Sequence, residues 1–97
     1  MAAYIIVEVD VHDAGTFARY REMVPDTLEA FGGRYLVRGG ACLGLEGDWA
    51  PPRVVVLEFP SLERARAWWE SDTYAEAKAL RQSCSSARML AVEGVPP

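Results

Sequence analysis

The stretch Gly32–Gly40, GGRYLVRGG, decides how the rest of the chain is read. Between its glycine pairs, Arg34-Tyr35-Leu36-Val37-Arg38 alternates with the two-residue period of a strand. That alternation sets Arg38 on the same side as Leu36, so a guanidinium shares a sheet face with an apolar residue. A face of that kind is neither plain core nor plain solvent surface, and the flanking segments must say what covers it.

Working outward, Ala3–Val11 (AYIIVEVDV) alternates and is rich in β-branched residues, which predicts a first strand. Asp13 stands where a helix N-cap belongs. Phe17, Tyr20, Val24, Thr27, Leu28 and Phe31 then recur at helical spacing. Pro25 removes the bond that would close on the Arg21 carbonyl, which predicts a kink or a restart there. Gly32-Gly33 ends the helix. The strand Arg34–Arg38 is expected to continue irregularly toward Leu45, with a turn over Gly47–Pro52 and a third strand over Arg53–Phe59. Ser61 caps a helix with Glu63 in its first turn. Ser71–Thr73 breaks that helix and caps a further piece to about Ser83, and Ala87–Glu93 is the last strand.

The order is β-α-β-β-α-β with the second helix in two pieces. Right-handed crossovers place both helical layers on one face of a four-stranded antiparallel sheet, a ferredoxin-like α+β sandwich. Residues 1–97 form one domain, with its core over 3–95.

Ile5, Val7, Val9, Val55, Leu57, Phe59, Tyr35 and Val37 are expected under the helices. The opposite face then carries Ile6, Leu36, Val54 and Val56 with Glu8, Glu58 and Arg38. A contiguous exposed apolar patch marks an interface, and a two-fold homodimer that stacks these faces into a barrel is the economical solution. Arg38 is expected to neutralise Glu8 and Glu58 within that interior, because buried unpaired carboxylates cost several kcal/mol.

Composition bounds the function. The 97 residues are 51% hydrophobic and 25% charged, with a formal net charge of −4. An acidic balance argues against nucleic acid or an anionic membrane as partner. The longest apolar run, AAYIIV, is too short to span a bilayer, and no signal-peptide pattern opens the chain, so a cytoplasmic protein is expected. Cys42 and Cys84 have no metal or redox spacing and are expected as free thiols, Cys42 as a small buried side chain. The lone histidine, His12, gives neither a zinc set nor a catalytic triad, so no metal and no cofactor is expected.

The segments YREMVPDTLEAFGGRYLVRGG, LEGDW, VVVLEFPSLERARAWWESDTYAEAKALR and AVEG together resemble domain-of-unknown-function family 1330, a branch of the dimeric α+β barrel superfamily. The resemblance covers about residues 3–95 and implies a ferredoxin-like homodimer. It implies no settled activity; the wider superfamily includes cofactor-independent monooxygenases, muconolactone-isomerase-like enzymes and ligand-binding regulatory domains. Positions resembling the family's recurrent ones include Tyr20, Arg38, Glu58, Trp68, Tyr74 and Arg81.

Three readings of the site follow. In the first, a cofactor-free lyase, isomerase or monooxygenase holds a small, partly aromatic organic acid in a pocket between the sheet and the dimer partner. Arg38 clamps the anion, Glu58 or Glu8 moves a proton, and Tyr74, Arg81, Trp68 and Tyr20 shape the pocket. In the second the same pocket binds a metabolite without transforming it. In the third the ion pairs only fix dimer register. A cavity on the order of several hundred Å³ lined by Arg38 and Trp68 would count against the third, and the absence of one would count against the first two. Of the adjacent tryptophans, Trp69 continues the Leu62–Ala65 stripe and is expected in the core, with Trp68 at the wall. Trp49 is expected to pack over a barrel end, and Lys78 to be surface.

Overall fold

The computed structural model describes residues 1–97 in the order β1 (Ala3–Val11), α1 (Ala14–Glu29), β2 (Arg34–Arg38), β3 (Val54–Phe59), α2 (Leu62–Glu70), α3 (Asp72–Cys84) and β4 (Ser85–Glu93). The strands form one antiparallel sheet in the order β2-β3-β1-β4. Ile5, Val7 and Val9 of β1 and Leu57 and Phe59 of β3 are buried in one cluster with Phe17, Val24, Leu28, Ala65, Trp68 and Tyr74 of the helices. The helical layers therefore cover a single face of the sheet, as the ferredoxin-like reading requires.

Asp13 caps α1, its carboxylate accepting from the Thr16 amide at 3.1 Å and the Thr16 hydroxyl at 2.9 Å. The helix does not restart at Pro25, and α1 runs through it from Ala14 to Glu29. Losing one hydrogen bond is tolerable in a helix whose packed stripe continues on both sides of the proline. Val24 and Thr27 are both buried here. The Thr27 hydroxyl donates back to the Val24 carbonyl at 2.7 Å and accepts from the Trp68 indole at 3.0 Å, which ties α1 to α2. Ser71 closes α2 and opens α3: its hydroxyl donates to the Trp68 carbonyl at 2.7 Å and accepts from the Tyr74 amide at 3.1 Å.

The tryptophans are exchanged relative to expectation. Trp68 is fully buried between the Phe59 and Tyr74 rings, with centroids at 5.5 and 3.9 Å. Trp69 is 38% exposed and carries the Lys78 ammonium 3.8 Å from its ring centroid. The stripe of this short helix is Ala65–Trp68 rather than Leu62–Ala65–Trp69, because the restart at Ser71 brings Tyr74 back over Trp68.

Strand β2 ends at Arg38, and residues 39–53 form no regular element, so the expected extension toward Leu45 is absent. Its Cys42 is exposed rather than buried. The register of β2 against β3 shifts between Tyr35 and Val37: Tyr35 pairs with Leu57, Val37 with Val56 and Arg38 with Val55. That bulge puts one extra residue into β2 and reverses the alternation after Tyr35.

The sheet face away from the helices is apolar and uncovered in the single chain. Ile6 is 37% exposed and Leu90, opposite it on β4, 56% exposed; Leu36, Val37 and Val92 are also exposed. Two carboxylates on this face are paired within the chain, Glu8 with Arg88 and Glu58 with Arg34, and Asp10 is exposed at the end of β1.

Gly33 follows α1 where a Cβ would meet the Phe59 ring at 2.7 Å and Leu28 at 3.0 Å. Phe59 is fully buried and cannot give way. Gly33→Ala is expected to destabilise the fold by about 1–3 kcal/mol through overpacking, measured as a lowered urea midpoint at unchanged slope.

Candidate functional site

Arg38 is the residue whose placement the bulge changes most. Paired with Val55, it lies on the helix side of the sheet, not on the open face. Its guanidinium sits 4.4 Å from the Tyr35 ring centroid and donates to the Arg21 carbonyl at 3.1 Å. That carbonyl is the one Pro25 deprives of its helical donor.

The expected Arg38–Glu8–Glu58 triplet therefore does not assemble. Glu8 is opposite Val54 and Glu58 opposite Tyr4, at the two ends of the β1–β3 ladder. Glu58 accepts from Arg34 at 2.7 Å, while Glu8 accepts from Arg88 and, at 2.8 Å, from the Trp49 indole. These bonds hold the Glu8 carboxyl below the usual carboxylate range, Arg88 contributing most. Trp49 thus lies over the open face, beside Glu8.

The remaining site candidates do come together. Between helices and sheet lies a cavity of about 20 Å³ whose lining includes Tyr20, Arg38, Trp68 and Arg81. It has room for about one water or a group of that size, and is far smaller than the pocket expected for a whole organic ligand. The open face instead carries shallow depressions of about 440 and 470 Å³, one along Ile6, Glu8, Val54 and Arg88, the other under Leu43 and Leu45.

Arg81 is only 6% exposed, and its Nε donates to the Tyr74 hydroxyl at 3.3 Å. The Tyr74 and Tyr20 hydroxyls are hydrogen-bonded at 2.9 Å, joining α3 to α1. Tyr74 is fully buried with its hydroxyl turned inward, and Lys78 reaches the Trp69 carbonyl instead, away from this cluster.

Three further lining residues escape the sequence reading: Arg21, Tyr35 as a site residue, and Arg53. Arg53 lies 5.4 Å from the Phe17 ring centroid, donates to the Arg38 carbonyl at 3.4 Å, and has a buried Nε with no partner. Its guanidinium lies against Gly39, where a Cβ would fall 2.4 Å away and where φ is +79°. The glycine after Arg38 was the available signal, since it marks a close approach.

The electrostatics of the cavity are one-sided. Arg21, Arg38, Arg53 and Arg81 line it, no acidic residue does, and none of the four takes part in a salt bridge. Three are fixed by neutral oxygens, namely the Arg21 carbonyl, the Arg38 carbonyl and the Tyr74 hydroxyl. Burial and the like charge of Arg21 push the Arg53 pKa down. Burial raises the Tyr20 and Tyr35 phenols, which keeps both protonated at neutral pH. A site with fixed cations and neutral hydroxyls is built to accept negative charge. No group of three or more His, Cys, Asp or Glu residues could hold a metal ion, and no helix is long and apolar enough to cross a membrane.

A family model described as Domain of unknown function (DUF1330) matches residues 2–95, and the chain belongs to that family. No curated protein matches it. Among solved structures, a protein of unknown function from Rhodopseudomonas palustris is similar at 21% identity and a TM-score of 0.79, over 99% of this chain and 84% of that one. A dimeric ferredoxin-like protein of unknown function from a Jannaschia species is similar at 14% identity and a TM-score of 0.65, over 97% and 100% of the two chains. SnoaB, a cofactor-independent oxygenase from Streptomyces nogalater, is similar at 14% identity and a TM-score of 0.61, over 99% and 95%. At these identities the likeness establishes the ferredoxin-like fold and nothing finer.

The raised Tyr20 pKa carries a pH consequence. The unfolded phenol ionises near the ordinary value of 10.0 while the folded one holds its proton above that. The contribution to stability is therefore complete below pH 10 and is lost as pH climbs past it. Tyr20→Phe is expected to reduce the fall in urea midpoint between pH 8 and pH 10.5, measured against the wild type.

Proposed function

We propose that this family member is a homodimer that binds the anionic head of a small organic acid, without a cofactor, in the cavity between its helices and its sheet. The observation that carries the reading is the set of four arginines without carboxylate partners around a cavity lined by no acidic residue, in a chain of net charge −4. Unneutralised guanidinium groups near a low-dielectric interior are costly. An entering anion offsets that cost, which makes binding selective for charge. The small enclosed volume limits what enters to about one oxygen of the anion beside Arg81, and the rest of the ligand would extend past the exposed Arg21 and Arg38.

Dimerisation is proposed through the open sheet face. Its exposed apolar residues form the kind of patch that interfaces cover, and Glu8 and Glu58 are already paired, so burying them orphans neither, while Asp10 stays at the exposed end of β1. The similar Jannaschia protein is dimeric, which supports a dimer but not a particular face.

A second reading adds catalysis. The hydrogen-bonded Tyr20–Tyr74 pair beside Arg81 can donate a proton to a bound anion, and the likeness to SnoaB favours oxygenase chemistry. Glu8 and Glu58 lie on the other side of the sheet, and in this reading the phenols replace them as proton carriers. Oxygen uptake on adding an ionisable phenol, lost in Tyr74→Phe, is the expected result; no uptake with any such phenol excludes this second reading.

Titration calorimetry with benzoate tests the binding. Arg81→Met is expected to weaken benzoate at least about tenfold, as loss of a charge-assisted contact should, and Arg64→Ala, on the exposed side of α2, to leave it unchanged. Equal affinity in the wild type and Arg81→Met defeats the assignment, provided thermal melts show both folded. Light scattering is expected to give twice the 10.7 kDa chain mass for the wild type, and the single chain mass for Ile6→Asp.

A further inference from the structure

The proline in the middle of α1 needs an explanation, since it costs a hydrogen bond and sits four residues after Arg21. The cost falls on the Arg21 carbonyl, the acceptor to which Arg38 donates at 3.1 Å. We propose that Pro25 is a positioning residue for the anion site: by keeping the Arg21 carbonyl free of a helical donor, it supplies the neutral acceptor that fixes the Arg38 guanidinium at the mouth of the cavity. This inference rests on the anion-binding reading above.

Three features make the arrangement specific. The bulge between Tyr35 and Val37 turns Arg38 to the helix side, within reach of α1. The Tyr35 ring supports one face of the guanidinium at 4.4 Å, which restricts its rotamers. A carbonyl anchors the guanidinium without neutralising it, whereas a carboxylate would consume the charge a ligand needs. The proline ring also crowds the carbonyl four residues earlier and tips it off the helix axis, toward outside donors. With an N–H at position 25, that carbonyl returns to the helical ladder, and Arg38 competes for it from a less favourable angle. A flexible, exposed arginine held in place loses less entropy on binding than a free one.

The test is a double-mutant cycle on benzoate affinity, using wild type, Pro25→Ala, Arg38→Ala and the double variant. Pro25→Ala removes a helix breaker, so folding is not at risk, and its urea midpoint is expected to rise. Slow hydrogen exchange of the new amide at position 25 will report the restored helical bond. Benzoate affinity is expected to fall about three- to tenfold in Pro25→Ala, the range of one hydrogen bond, and to fall no further in the double variant than in Arg38→Ala alone. If the wild type binds benzoate and Pro25→Ala binds it equally, or the two losses add independently, the positioning role is overturned while the anion site stands. If the wild type binds no benzoate, the anion-binding reading fails and takes this inference with it.

Discussion

One extra residue in β2 determines the chemistry of both sides of the sheet. Without the bulge between Tyr35 and Val37, strict alternation would put Arg38 beside Leu36 on the open face. With it, the guanidinium joins Arg21, Arg53 and Arg81 under the helices, and Val37 takes the vacated position opposite Val56. The open face thereby becomes more apolar and the covered cavity more positive. A change in backbone count of one residue has sorted charge from grease across a sheet only one strand layer thick.

The arginines are held by a particular kind of partner. Elsewhere in the chain three of the five arginines find carboxylates, Arg34 with Glu58, Arg66 with Glu70 and Arg88 with Glu8, and Arg19 and Arg64 form no ion pair. At the cavity they find carbonyl and hydroxyl oxygens instead. Neutral acceptors satisfy donor geometry and leave the net charge in place. The buried Arg53 Nε, with no acceptor of its own, shows that the cluster is not fully satisfied by the protein.

Much of the fold was legible because it is written in period and punctuation. The alternation of Ala3–Val11, the Asp13, Ser61 and Ser71 caps and the glycines after Leu28 each dictated an element on local grounds. The site was legible only in membership. Tyr20, Arg38, Trp68 and Arg81 line one cavity, with Tyr74 behind it bonded to Tyr20 and Arg81, yet the partners assigned to Arg38 and the exposure assigned to the two tryptophans were wrong. Both errors have one cause. A bulge in β2 and a restart at Ser71 each reset the phase of a repeat, and phase is what a pattern reading extrapolates. Pro25 was read for the bond it removes, whereas its importance in the structure lies in the carbonyl it leaves available.

The excursion from Gly39 to Arg53 leaves and rejoins the sheet through a closed neck. The Gly39 amide donates to the Val54 carbonyl at 3.0 Å, the Arg53 guanidinium to the Arg38 carbonyl at 3.4 Å, and the Val9 amide to the Arg53 carbonyl at 2.9 Å. With its base cinched in this way, the segment can lengthen, shorten or change composition at little entropic cost to what lies beneath. The architecture is modular in consequence: descendants of this chain are free to remodel whatever meets the outer surface while the cationic chamber on the reverse side keeps its shape.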